Sequence, residues 1–186
     1  MTKLDRVRSR TTCFTAKNVD TDQIIPARFL KRIDKAGFGD QLFADLKPAE
    51  IFNIPDARQR QILIAGQNFG CGSSREHAVW AIRDFGFRVL ISTSFADIFK
   101  ENSLKNGVLT IEVDAPTHGR LVETFQKSPE TEMMVDLREQ TLEFGGVRTH
   151  FQVNSFSRTC LLEGLDELGY ILRQEPLIAA FEKARR

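Results

Sequence analysis

Seven consecutive residues, Gly70-Cys71-Gly72-Ser73-Ser74-Arg75-Glu76, assemble the groups that an oxyanion receptor needs. Ser73 and Glu76 have the spacing of a capping box, which would put Ser73 at the N-cap of a helix and Glu76 at its third position. A helix start presents unsatisfied N–H groups and about half a positive charge. Arg75 adds a full charge in that first turn, and Gly70 and Gly72 would let a ligand approach the backbone without meeting a Cβ. Such a place suits a carboxylate. The same field lowers the cost of ionising a serine hydroxyl. The plainer reading is a well-capped helix after a glycine turn. Asn68, the two glycines, the second serine and the arginine together favour a site. A phosphate-binding P-loop does not fit, because Gly72 stands where its lysine would be. A nucleophile elbow does not fit either, because neither Ser73 nor Ser74 has a glycine two residues later.

A second polar stretch, Asn18-Val19-Asp20-Thr21-Asp22-Gln23-Ile24-Ile25-Pro26, sets the carboxylates of Asp20 and Asp22 on either side of Thr21. Aspartates in such a stretch serve either proton transfer or the capping of turns and helices. The three cysteines, Cys13, Cys71 and Cys160, are far apart and form no C-x-x-C pair. They are expected as reduced thiols in or near the core rather than as a disulfide framework. His77, His118 and His150 do not cluster at metal-ligand spacing, so no metal is expected on this chain alone.

The chain has 186 residues, enough for one compact domain with a real core, and a net charge of +1. That charge gives no bulk field for nucleic acid or an acidic membrane, and no basic–aromatic stripe is present. The first residues lack the apolar core of a signal peptide, and no apolar run is long enough for a bilayer, so the expected location is the cytoplasm. An anion-binding regulatory domain without chemistry is a rival reading. The acidic pair argues against it, since a plain anion receptor gains nothing from nearby carboxylates.

The elements that would position these residues read as α/β. Arg8 to Phe14, basic and small polar, reads as an edge strand. Gln61 to Ala65, Arg88 to Ser92 and Val108 to Val113 read as buried strands. Between them, helices are expected from Ser73 to a stop at Gly86 and from Ser94 to a stop at Gly107. This βαβ order implies some parallel sheet. His118 to Gln126 reads as a helix. Met133 to Leu137, Thr141 to Phe144 and Val147 to Val153 read as strands, the last two joined by a hairpin turn at Gly145-Gly146. Arg158 onward reads as helical, interrupted by Gly164, Gly169 and Pro176. Arg28 to Asp40, and Asp45 to Arg60 with its two prolines, read as loops or short helix. The sheet is expected to be mixed.

Gly66-Gln67-Asn68-Phe69-Gly70-Cys71-Gly72-Ser73-Ser74-Arg75-Glu76-His77-Ala78 closely resembles the signature of the swivelling domain of the aconitase superfamily. The Asn18–Pro26 stretch resembles that domain's other signature. Ser94-Phe95-Ala96-Asp97-Ile98-Phe99, with Asn102 and Asn106-Gly107, resembles a third. The three occur in the family's order and span most of Asn18 to Gly107. The chain length, and the ending near Cys160-Leu161-Leu162-Glu163-Gly164-Leu165-Asp166, resemble the small-subunit branch of the 3-isopropylmalate dehydratases.

The resemblance implies a swivelling β/β/α domain of the aconitase type, with a mixed sheet and flanking helices. Residues 1–186 would form one such domain with a helical C-terminal extension. It implies a large subunit holding a 4Fe–4S cluster through three cysteines, with no cofactor on this chain. The reaction would isomerise 2-isopropylmalate to 3-isopropylmalate by removing and re-adding water, in leucine biosynthesis. By motif position, Ser73 would be the catalytic base, acting as an alkoxide, with Asp22 beside it. Ser74, Arg75 and Thr21 would bind substrate. Arg28 to Gly39 would read the variable end of the substrate, with Leu30 as the first apolar candidate beside Phe29 and Ile33, and with Gly37 and Gly39 as hinges. A homoaconitase or a dimethylmalate or citraconate hydratase small subunit is the alternative within the family. Arg28 and Arg32 are the residues that keep it open.

Overall fold

The structure, a computed structural model, describes residues 1–30, 37–46, 54, 56–73 and 75–185. Among these, seven strands form one sheet: β1 (Arg6–Phe14), β2 (Ile62–Ala65), β3 (Val89–Ser92), β4 (Leu109–Glu112), β5 (Glu132–Asp136), β6 (Thr141–Phe144) and β7 (Val147–His150). They lie in the order β4-β3-β2-β1-β5-β6-β7. The first four run parallel. The last three run antiparallel from β1 outward, so the sheet is mixed, as the sequence implies. The helices are α1 (Thr21–Ile24), α2 (Glu76–Phe85), α3 (Asp97–Lys105), α4 (Ala115–Lys127), α5 (Ser155–Glu163), α6 (Glu167–Arg173) and α7 (Glu175–Ala184).

The parallel strands are apolar on both faces, because alternate residues point to opposite sides. Leu63, Ala65 and Leu90 join one core cluster with Ala78, Val79 and Ile82 of α2 and Phe99 of α3. Ile62, Ile64, Val89 and Ile91 join the other, with Leu121 of α4 and Leu161 of α5. Gly86 ends α2 with φ at 128°, and Gly145 and Gly146, both at positive φ, turn β6 directly into β7. Gly164 caps α5 in the left-handed region, and Pro176 sits in the first turn of α7. Gly169 does not interrupt a helix. It lies inside α6, and its N–H donates to the Asp166 side chain that caps it.

One expectation is overturned. β1 is the central strand of the sheet, not an edge. Its basic residues are one face of a strand whose other face, Val7, Ser9 and Thr11, is buried. Arg6 and Arg8 are satisfied by acidic residues of β5, Asp136 and Glu132, and Arg10 by Asp56 and Glu130. The charges that suggest an edge therefore mark only the wet face.

β1 also changes partners along its length. Residues 6–10 pair with β5 and residues 11–14 with β2. The Thr11 carbonyl, past the last residue paired with β5, accepts a 2.7 Å hydrogen bond from Arg60, whose side chain is 1% exposed. The same guanidinium donates to the Pro129 carbonyl, to Asp56 and to Glu130, pinning the start of β5 and the turn before β2 to the sheet centre. Burial alone would raise the Asp56 carboxyl, but the Arg60 hydrogen bond and the charges of Arg60 and Arg10 outweigh it and hold the group below the usual range.

Removing the Arg60 charge while keeping its stem, Arg60→Met, should strand two carbonyls and leave Asp56 with Arg10 alone. We expect a loss of about 3 kcal/mol in urea unfolding. A depressed carboxyl stabilises the fold above its unfolded pKa and loses that contribution as pH falls through the folded value. The wild type should therefore weaken below about pH 4, where carboxylates begin to protonate. Arg60→Met should flatten part of that fall, and a parallel acid titration of the two proteins by circular dichroism checks it.

Candidate active site

All three signature stretches lie just past the carboxyl ends of parallel strands, β1, β2 and β3, where open α/β sheets place ligands. Phe14 of β1 pairs with Ala65 of β2, so the loops that follow start side by side. They are stitched by backbone. The Val19 carbonyl accepts from Gly70 N–H at 2.8 Å and from Cys71 N–H at 3.2 Å. Asn18 N–H donates to Gln67 O, and Asn68 Nδ2 donates to Asn18 Oδ1. From the third loop, the Ser94 hydroxyl accepts from Asn68 N–H at 3.0 Å, and Phe69 and Phe95 form a parallel bridge.

The capping box is not where the sequence suggests. It lies at Asp20 and Gln23: Asp20 Oδ1 accepts from Gln23 N–H and Gln23 Oε1 from Asp20 N–H. α2 starts only at Glu76, with Arg75 at its N-cap and no side-chain cap. Ser73 stays on an exposed bend before it. The Glu76 carboxylate is taken by Trp80 Nε1 and Asn106 Nδ2, so it does not reach back to Ser73. Thr21 is buried and donates its hydroxyl to the Ser73 carbonyl at 2.6 Å, while its N–H donates to Cys71 O. The hydroxyl expected to meet substrate thus holds the bend.

The two glycines have different reasons. A Cβ on Gly70, where φ is +78°, would lie 2.1 Å from the Phe99 ring, so the position is closed by packing rather than left open for a ligand. Gly72, at φ +82°, is exposed and only Asp20 Cβ, at 3.3 Å, approaches the same place, leaving room on the outer side. Beside them is a cleft of about 240 Å³ whose walls include Thr21, Gly72, Arg75, Asp97 and Ile98. Arg75 is ion-paired with the half-exposed Asp22. Asp97 and Ile98 carry no role in the sequence reading; their place in the third signature was the signal. A larger cavity of about 520 Å³, lined by Leu104, Phe156 and Cys160 among others, shares none of the residues of this cleft.

Ser74 lies outside the described residues, as do Arg32 and Ile33. Leu30 is half-buried and packs against the core cluster, as does Phe29. Arg28 points away to Asp45, with two hydrogen bonds of 2.8 and 2.6 Å, and holds that carboxyl below the usual range. Gly39 is no hinge. Its N–H donates to Asp84, and a Cβ there would sit 2.6 Å from the Phe85 backbone nitrogen, so it docks the loop on α2.

Among the described residues no three His, Cys, Asp or Glu side chains converge as a metal site. All three cysteines are free. Burial pushes the Cys13 thiol up to about 11. The Cys71 thiol, half-buried in the glycine turn, donates to the Asn18 carbonyl at 3.3 Å.

The aconitase C-terminal domain family matches residues 1–116. A 3-isopropylmalate dehydratase small subunit from Solibacter usitatus is 56% identical over 168 residues, 89% of this chain and 85% of that protein. Another, from Herpetosiphon aurantiacus, is 49% identical over 184 residues, 98% of this chain and 94% of that protein. Among solved structures, a 3-isopropylmalate dehydratase from Methanocaldococcus jannaschii superposes with a TM-score of 0.71 at 25% identity, covering 95% of this chain and 99% of that one.

The contrast between the two glycines is measurable. Gly72→Ala should cost only the left-handed backbone penalty, about 1–2 kcal/mol. Gly70→Ala adds the clash with Phe99 and should cost about 2–4 kcal/mol. Equal losses in denaturant unfolding would show that Phe99 yields freely and does not fix the turn.

Proposed function

We propose a function from one premise: the chain belongs to the aconitase C-terminal domain family and, within it, to the 3-isopropylmalate dehydratase small subunits. It is the small subunit of a hydro-lyase that isomerises 2-isopropylmalate to 3-isopropylmalate by dehydration and rehydration, in leucine biosynthesis. The observation that carries the site is a cleft lined by Gly72 and Arg75, with the exposed Ser73 next to Gly72 in the chain.

In our reading, Ser73 takes the proton from the carbon next to a substrate carboxylate. Proton removal there builds negative charge on that carboxylate. Arg75 and the uncapped N–H groups at the start of α2 absorb it. Arg75 must first trade its Asp22 partner for substrate, so Asp22 keeps the guanidinium aligned in the empty site and stands beside the base in the filled one. Thr21 contributes by fixing the Ser73 backbone; Ser74 is assigned to the same carboxylate by motif position.

The chain works with a large subunit, and we assign the 4Fe–4S cluster to that partner. When bound, it would supply a Lewis-acidic iron to take the substrate hydroxyl that leaves as water. No nucleic acid or membrane partner is proposed, and among the described residues no helix is long and apolar enough to cross a membrane. We place the enzyme in the cytoplasm. Residues 1–186 act as one swivelling domain, with α6 and α7 as its C-terminal extension. Leu30 reads the isopropyl group. Arg28, held by Asp45, is not turned toward a third carboxylate, which favours isopropylmalate over a tricarboxylate.

Anaerobic mixing with an iron-loaded large subunit gives the assay. Ser73→Ala should lower kcat by roughly 10²–10⁴-fold or more. Because Ser73 is not a helix cap, its stability should change by no more than about 0.5 kcal/mol. Arg75→Lys should mainly raise KM, since lysine lacks the fork that binds a carboxylate through two hydrogen bonds. A normal kcat for Ser73→Ala in an intact complex places the base elsewhere.

Specificity is tested through Leu30→Ala, with kcat/KM measured for 3-isopropylmalate and homocitrate. The lost apolar contact should cost about 1–3 kcal/mol, or 10–200-fold, on isopropylmalate only. Equal loss on both substrates would reduce Leu30 to packing.

A further inference from the structure

The third signature contains a residue that the mechanism above leaves without a task. Asn106, at the end of α3, is 7% exposed. Its Nδ2 donates to Glu76 Oε1 at 2.8 Å and to the Asn102 carbonyl at 2.9 Å, and its Oδ1 accepts from Trp80 Nε1 at 3.1 Å. Trp80 Nε1 also reaches Glu76 Oε1 at 3.3 Å. Asn106, Glu76 and Trp80 thus form a closed triangle in which each side is a hydrogen bond. Glu76 is the first residue of α2, directly after the bend that carries Ser73 and Arg75.

We propose that Asn106 is a positioning residue for Arg75 and Ser73, acting through the Glu76 carboxylate; this rests on the roles given above to Ser73 and Arg75. The start of α2 has no side-chain cap to fix it. Leaving the cap empty keeps first-turn N–H groups available to a substrate carboxylate, but it removes the usual device that holds a helix start. The triangle replaces that device from the side. It fastens residue 76 to the end of α3, and α3 is fixed beneath the cleft by Phe99 against Gly70. From the upstream side, Thr21 holds the Ser73 carbonyl. Residues 73 and 76 are thus held from both sides.

The amide matters for its polarity. Asn106 offers a donor to a carboxylate and an acceptor to an indole N–H. Asn106→Asp keeps the shape but faces Glu76 with a second carboxylate, which repels it and drives the start of α2 away. Combining Asn106→Asp with Glu76→Gln reverses the donor and acceptor and restores the bond between these two side chains, while the bond to the Asn102 carbonyl stays lost. Trp80 is the chain's one tryptophan, so its emission reports the triangle directly.

The experiment uses the complex with the large subunit, assembled anaerobically, with 3-isopropylmalate as substrate. Displacing a reacting group by about 1 Å costs about 100-fold, and Asn106→Asp should lower kcat/KM by that order with the Trp80 emission shifted. The swapped pair should return both toward wild type. If Asn106→Asp fails to assemble, Asn106→Ala is read instead, with a loss of about tenfold expected. A single variant within about twofold of wild type overturns the proposal, since no geometry would have been lost. So does a swapped pair that regains emission and melting temperature but not kcat/KM, because the triangle would then be structural only. If the wild-type complex itself does not turn over 3-isopropylmalate, the proposed function fails. The positioning role is then decided by hydrogen exchange at residues 73–76: faster exchange in Asn106→Asp, reversed in the swapped pair, supports it, and unchanged exchange overturns it.

Discussion

A single buried carbonyl, that of Val19, holds the site together by accepting from two successive N–H groups, Gly70 and Cys71. Both donors belong to a turn in which Gly70 and Gly72 take positive φ and the Phe99 ring excludes a Cβ at Gly70. The carbonyl belongs to the loop after β1 and the donors to the loop after β2. The two loops are adjacent because their strands pair in parallel, Phe14 against Ala65. The polar residues of these two loops are placed relative to this junction: Thr21 and Asp22 on one side, Ser73 and Arg75 on the other.

The junction leaves the site half open. Ser73 is exposed, and Arg75 spends its charge on Asp22. An exposed serine beside a neutralised arginine is ordinary; a hydroxyl is far too weak an acid to ionise in water near neutral pH. Chemistry of the kind proposed requires that water be excluded and that Asp22 release the guanidinium. In the proposed reading, a partner that covers the cleft with substrate inside would supply both.

The supporting fold is held by charges in places where charges are usually weak. Exposed pairs such as Arg8 with Glu132 contribute little. Arg60 is different, because its guanidinium is buried and fills a gap in the hydrogen-bond ladder where β1 changes partners. A mixed sheet needs such a device wherever the parallel and antiparallel halves are staggered along a shared strand.

The sequence alone determined the alternation of β2, α2, β3, α3 and β4, since buried parallel strands read as apolar runs and Gly86 and Gly107 stop the helices between them. It determined the hairpin at Gly145-Gly146, and it brought Ser73, Arg75, Asp22 and Thr21 forward as one group through three ordered motifs. It misread β1 as an edge, because a row of arginines looks the same whether the strand beside it is solvent or acidic β5. It placed the capping box at Ser73 and Glu76 rather than Asp20 and Gln23, because both pairs have the spacing and only packing decides which third-position side chain is free to reach back; Glu76 is claimed by Trp80 and Asn106. It took Gly39 for a hinge, because the Phe85 backbone that a Cβ would meet comes from about 45 positions away, and it gave no sign that the Thr21 hydroxyl holds the Ser73 carbonyl, about 52 positions away. Spacing along the chain fixes local periodicity and motif order, whereas the partner that a polar group or a missing Cβ answers to is chosen across the fold, by neighbours that are remote in sequence.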